Sequence, residues 1–112
     1  MAIDKPPIGT VIASRQYSIA YPNGKVESAM VCIGQPVEAP EGGHWRCPYE
    51  IACKSFARTF YSAGEDSMQA LILATHILAT EIESLAKDHG VRFLLWEEDR
   101  LGLPHISDVK KM

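Results

Sequence analysis

Between Asp66 and Gly90 lies one stretch that only a long helix explains, and it constrains the whole chain. Asp66 is a good N-cap residue, Gln69 three positions on completes a capping-box pattern, and Gly90 supplies the stop. At 100° per residue, Met68, Leu71, Ile72, Thr75, Leu78, Ala79, Ile82, Leu85 and Ala86 form one broad apolar face. Gln69, His76, Thr80, Glu83 and Lys87 form a polar stripe opposite, where His76 is expected in solvent. Ala70, Leu73, Ala74 and Ile77 fall within an arc of about 100° outside the main face. Leu73 and Ile77 are adjacent on a helix and have small alanines beside them, which makes the four a candidate interface unless a sheet wraps far enough to cover them.

Ahead of the helix the pattern changes to period two. In residues 11–21 the odd positions Val11, Ala13, Arg15, Tyr17, Ile19 and Tyr21 alternate with polar ones such as Ser14, Gln16 and Ser18. Asn23-Gly24 is a strong hairpin signal, because both residue types tolerate positive φ. A two-residue turn there pairs Tyr21 with Val26, Ile19 with Ser28, Tyr17 with Met30 and Arg15 with Cys32, and puts Val26 and Met30 on the tyrosine face. The return strand is expected over 26–33 and a Pro- and Gly-containing loop over 35–44. Residues 45–53 give the cleanest alternation, with Trp45, Cys47, Tyr49, Ile51 and Cys53 on one face; Pro48 points to an edge strand or a bulge. A fourth strand is expected over 55–62, and after Gly90 residues 91–96 read as a buried strand that Glu97-Glu98-Asp99-Arg100 returns to solvent.

The expected fold is therefore α+β: an antiparallel sheet of four to five strands, opened by a hairpin, with one long helix packed across one face. The chain has 112 residues, the length of one domain, with 1–9 a loose lead-in and 106–112 a frayed tail. No apolar core follows a basic start at the N-terminus, and charged or polar residues interrupt the most apolar stretch, so neither a secretory signal nor a membrane span is expected. Three cysteines are an odd and sparse set that fits a reducing cytoplasm.

Few chemistries suit these residues. Cys47 and Cys53 share a strand face but sit about 20 Å apart at ~3.3 Å per residue, so they can neither bridge nor share a metal. Zinc-type spacings are absent, and His44 with Cys47 does not complete one. Cys47 with His44 or His105 lacks any nucleophile motif around it, and His76 and His89 differ by about 140° around the helix. Three adjacent acids, 97–99, read as a solvated turn, and no phosphate-binding glycine loop occurs. A formal net charge of −3, with Arg15, Lys25, Arg46, Lys54, Arg58 and Arg92 scattered among acids, opposes nucleic-acid binding. No catalytic, metal or cofactor residue is assigned.

Trp45-Arg46-Cys47-Pro48-Tyr49-Glu50-Ile51, then Gly64-Glu65-Asp66-Ser67-Met68-Gln69-Ala70-Leu71, resemble the pattern of a family of small bacterial proteins of unknown function. Ile33-Gly34-Gln35-Pro36 fits it as well, and the resemblance spans roughly residues 10–103. It implies a bacterial cytoplasmic α+β protein and brings no assigned catalytic residues. Some small bacterial proteins of this general kind are immunity partners of toxins, which is analogy alone. Two functions follow. The first is a non-enzymatic protein-binding module, a toxin-neutralising immunity protein or a homodimeric accessory protein, using Ala70, Leu73, Ala74 and Ile77. The second is a small enzyme or ligand-binding domain with a pocket between helix and sheet lined by Trp45, Tyr49 and Trp96.

Overall fold

A computed structural model describes residues 8–104. Nearly all of the expected lead-in and all of the expected tail, with His105, lie outside the described residues. Within them the chain runs β1 (Val11–Ala20), β2 (Val26–Gly34), β3 (Val37–Glu38), β4 (Trp45–Cys53), β5 (Ala57–Gly64), α1 (Ser67–His89) and β6 (Arg92–Leu94). Every pairing is antiparallel, in the order β5–β4–β2–β1–β6. The helix lies on one face of this curled sheet, so the architecture is α+β as the patterning predicts. The short β3, inside the segment expected as loop, prolongs the line of β2 alongside β4.

The first hairpin forms where expected but one residue out of register. Gly24 N–H donates to the Tyr21 carbonyl and Tyr21 N–H to the Lys25 carbonyl, so the turn is built on Tyr21-Pro22-Asn23-Gly24. Pro22 fixes its own φ negative, and only Gly24 in the turn takes a positive φ, 88°. An Asn23-Gly24 primed turn is thereby ruled out. Val26 pairs with Ala20, Ala29 with Tyr17 and Val31 with Arg15. The one-residue slip sends Val26 and Met30 to the solvent side, 62% and 42% exposed, and brings Ala29, Val31 and Ile33 inside.

Pro48 sits in a central strand rather than at an edge. The β2–β4 ladder ends at Ile33–Tyr49 and the β3–β4 ladder begins at Val37–Arg46. Cys47 and Pro48 thus oppose the break between β2 and β3, where a missing N–H costs no ladder bond. Cys47 is fully buried beside it, and burial pushes its thiol up to about 11, which keeps it protonated and unreactive. All three cysteines are free.

β5 extends through Gly64, which pairs with Trp45, instead of ending at Ser62. A Cβ at Gly64 would stand 2.5 Å from the Ala70 amide nitrogen, so only glycine lets the first helical turn come this close to the strand. Asp66 caps the helix through Gln69 N–H (2.7 Å), while Gln69 Oε1 accepts from Glu65 N–H (2.6 Å) rather than from Asp66 itself. Gly90 closes the helix in the left-handed conformation.

The buried face of α1 is rotated from the expected one toward its small residues. Ala70, Ala74, Leu78, Ile82 and Leu85 meet the sheet, whereas Met68 is exposed and Leu71, Ile72, Thr75 and Ala86 are half-buried. Alanines let the helix settle onto β4 and β5, a gain in packing that a residue-by-residue apolarity count does not see. His76 is buried rather than solvated; its Nδ1 lies 2.8 Å from the Ile72 carbonyl, to which it donates along its own helix.

Candidate functional site

β6 is shorter than the expected strand. At its end Leu95 and Glu98 exchange two backbone hydrogen bonds of 2.9 Å across Trp96-Glu97. Both turn residues have positive φ, 52° and 66°. Turns of this kind are normally Asn-Gly, and each side-chain-bearing residue in left-handed backbone costs roughly 1–2 kcal/mol. The result is to hold Trp96 out in solvent, 71% exposed, with the Arg100 guanidinium over its ring at 5.2 Å.

The chain then returns as a strap, residues 99–103, across the inner side of β1. Tyr17 Oη donates to the Leu101 carbonyl (2.6 Å), and Arg15 Nη1 donates to the carbonyls of Leu101 (3.2 Å) and Gly102 (2.7 Å). Burial raises the Tyr17 hydroxyl above the ordinary phenol range, with Arg15 opposing, so it remains a donor. Two side chains of β1 therefore hang an otherwise irregular segment opposite the helix.

Between strap and helix opens a cleft of about 500 Å³. Its helix wall is Ala79, Ile82 and Ala86, its floor Val91 and Phe93, and its strap wall Leu101 and Leu103. Glu83, Arg92, Asp99 and Arg100 stand at the rim, where Arg92 pairs with Asp99 at 3.7 Å and Arg100 with Glu98 at 3.4 Å. No His, Cys, Ser or Thr is among the described lining residues. The arrangement can accept an apolar group in a charged collar. Among the described residues no cluster of metal-ligating side chains occurs and no helix is long and apolar enough to cross a membrane.

The residues singled out from sequence are distributed differently. Tyr49 is buried in the core, its hydroxyl 3.3 Å from Glu81 and raised first by burial and then by that carboxylate. Trp45 is half-buried at the start of β4 and lines a separate concavity of about 320 Å³ with Gln35, Pro36, Ser67, Met68 and Leu71. There the three segments that carried the resemblance meet. Trp96 alone of the expected pocket trio stands by the large cleft, through Arg100. None of the three cavities among the described residues joins the trio: Trp45 and Tyr49 lie on β4, and Trp96 follows β6 at the sheet's other margin, with β2 and β1 between the two strands.

Of the candidate interface, Ala70 and Ala74 are fully buried, and Leu73 and Ile77 are half-buried. The sheet covers the alanines, so any contact there would rest on the two large residues. Acids 97–99 lie exposed in the turn, as expected. Another polar group, the ring of Tyr21, Glu27 and Ser55, ties the two hairpins together; Tyr21 donates to Glu27 and holds its carboxyl below the usual value. The strap is what sequence reasoning missed. Its only signal was an apolar pair, Leu101 and Leu103, belonging to no periodic element.

Fold and cleft together define a small α+β domain with a cleft at its helix–sheet margin. The chain belongs to the family described as Domain of unknown function (DUF6968), whose model matches residues 13–105. No curated protein and no solved structure matches it.

Proposed function

We propose that this domain is a non-enzymatic protein-binding module, and that it takes an apolar side chain of a protein partner into the cleft between α1 and the strap. The observation that carries this reading is Trp96, 71% exposed on a turn of two left-handed residues beside that cleft. Strained backbone that displays an aromatic ring gains nothing inside the fold; its return comes from a contact outside it. Tryptophan and arginine are the side chains that dominate binding energy at interfaces, and Arg100 lies on the Trp96 ring. In its narrower form the module is a bacterial cytoplasmic protein, a toxin-neutralising immunity partner or an accessory protein. The small size and net charge of −3 support that form, and they speak against nucleic acid as the partner.

A second reading rests on cleft volume. About 500 Å³ lies within the roughly 300–1,000 Å³ of small-molecule sites, which supports an apolar ligand instead. Parallel capture from native lysate on wild-type protein, Trp96→Ala and Ala86→Leu separates the two. The binding-module reading expects a protein retained by wild type and lost from both variants. A protein held equally well by Trp96→Ala removes the reading. Stabilisation of wild type and Trp96→Ala, but not Ala86→Leu, by a small apolar compound establishes the second.

A further inference from the structure

The opposite edge of the sheet carries its own recognition surface. β5 pairs with β4 on one side and with nothing on the other among the described residues. Cys53 N–H donates to the Phe56 carbonyl, which marks Cys53–Phe56 as a hydrogen-bonded pair. Antiparallel alternation then turns the backbone groups of Arg58, Phe60, Ser62 and Gly64 toward β4, and those of Ala57, Thr59, Tyr61 and Ala63 outward. Three of the usual edge protections are missing: residues 57–64 contain no proline, no lysine and no bulge. The single charge, Arg58, is turned under the helix toward Glu81 (3.4 Å) and Asp88 (4.0 Å).

Side chains continue this edge into an apolar strip. Ser62 is bonded to the Ala70 carbonyl and Arg58 to Glu81, so Phe60, on the same face between them, comes level with the helical turn of Leu73 and Ile77. Phe60 is 51% exposed, and Leu73 and Ile77 are half-buried. On that flank of α1, Gln69, Leu73, Ile77, Thr80 and Ser84 lie within an arc of about 80°, and the one charge the helix adds to that arc is Lys87, in its last turn.

The geometry points to a second copy of this chain as the occupant, docked edge to edge through β5 about a two-fold axis at Phe60. In that register Ala57 faces Ala63 and Thr59 faces Tyr61 of the second copy, so all four outward residues enter hydrogen-bonded pairs. Phe60 meets Phe60, Arg58 faces Ser62, and no like charges oppose each other. The helices run antiparallel on one side, Leu73 of each against Ile77 of the other. At ~1.5 Å per residue, Lys87 lies about 18 Å from the axis level, close to Glu65 of the second copy just beyond its helix start. Each end of the contact therefore joins a lysine to an acid, while its centre is uncharged, the distribution that stable interfaces show.

Sedimentation of the full chain over a dilution series tests this surface separately from the cleft. Wild type is expected to dimerise, and Thr59→Pro is expected to weaken dimerisation about tenfold or more, since the symmetry repeats each lost contact. The Thr59 N–H faces away from β4, so proline there removes no ladder bond; within the fold it removes the side-chain bond that Thr59 Oγ1 donates to Glu50 Oε2 (2.8 Å). Phe60→Lys, at an exposed position, gives the same loss without touching the backbone. Circular dichroism of both variants is expected to match wild type. A wild type that stays monomeric, binds an unrelated extended peptide at this edge, or forms dimers that both variants leave intact overturns the assignment.

Discussion

At one margin of the sheet β6 contributes three residues, and a strap hung from Arg15 and Tyr17 lies beside it. At the other margin β5 runs for eight residues with its outer backbone unpaired among the described residues. Both margins are next to the same helix, so the helix alone does not decide how an edge is finished. What differs is the local partner supply. β1 offers a buried hydroxyl and a guanidinium to which irregular chain can fasten, whereas every polar side chain of β5 near the helix is already engaged, Ser62 with Ala70 and Arg58 with Glu81. One margin accordingly becomes a cleft with a displayed tryptophan, and the other remains a flat pairing edge. Recognition by side-chain insertion suits the first and recognition by main-chain pairing suits the second.

The contrast can be broken most severely at β5. Gly64→Val places a branched side chain against the backbone of Ala70, and because neither the strand nor the helix start can give way, a loss of about 3 kcal/mol is expected. Urea unfolding measures it; an unchanged midpoint would show that strand and helix are not locked there. A smaller effect is expected on the strap. Tyr17→Phe removes one of two donors to the Leu101 carbonyl and should cost about 1 kcal/mol, with amide exchange accelerating in 99–103 before it does in β5. Uniform acceleration across both margins would mean that the strap is no separate unit. The smallest change has the opposite sign. Glu97→Gly relieves one left-handed residue and should stabilise the fold by about 1 kcal/mol, provided the turn conformation is as strained as its φ angles indicate. A melting temperature that fails to rise removes the strain from the account of Trp96.

Parts of this molecule were plain in its residues. Period-two runs on either side of the turns and a capped, amphipathic stretch from Asp66 to Gly90 made strands and helix legible, since both depend on repeats of a few residues. Register was not legible, because it turned on whether Pro22 or Asn23 took the first corner of the hairpin, a choice between turns that leave the same hydrophobic pattern behind. The candidate site was legible only at Trp96. Its walls come from helix, β6 and strap, and nothing periodic ties Leu101 to Tyr17, which lies 84 positions earlier.

Local chemistry, then, settled what each segment of this protein is: strand, turn or capped helix, with glycine where left-handed backbone or close approach demanded it. Tertiary structure alone decided which helix face was buried, that His76 should lie inside and Met30 outside, and that an edge strand, a cleft and an exposed tryptophan should stand where they do. The reason is physical. Secondary structure answers to forces between residues a few positions apart, whereas burial and sites answer to shape complementarity between distant segments, and a small alanine that fits closely can outweigh a larger residue that does not.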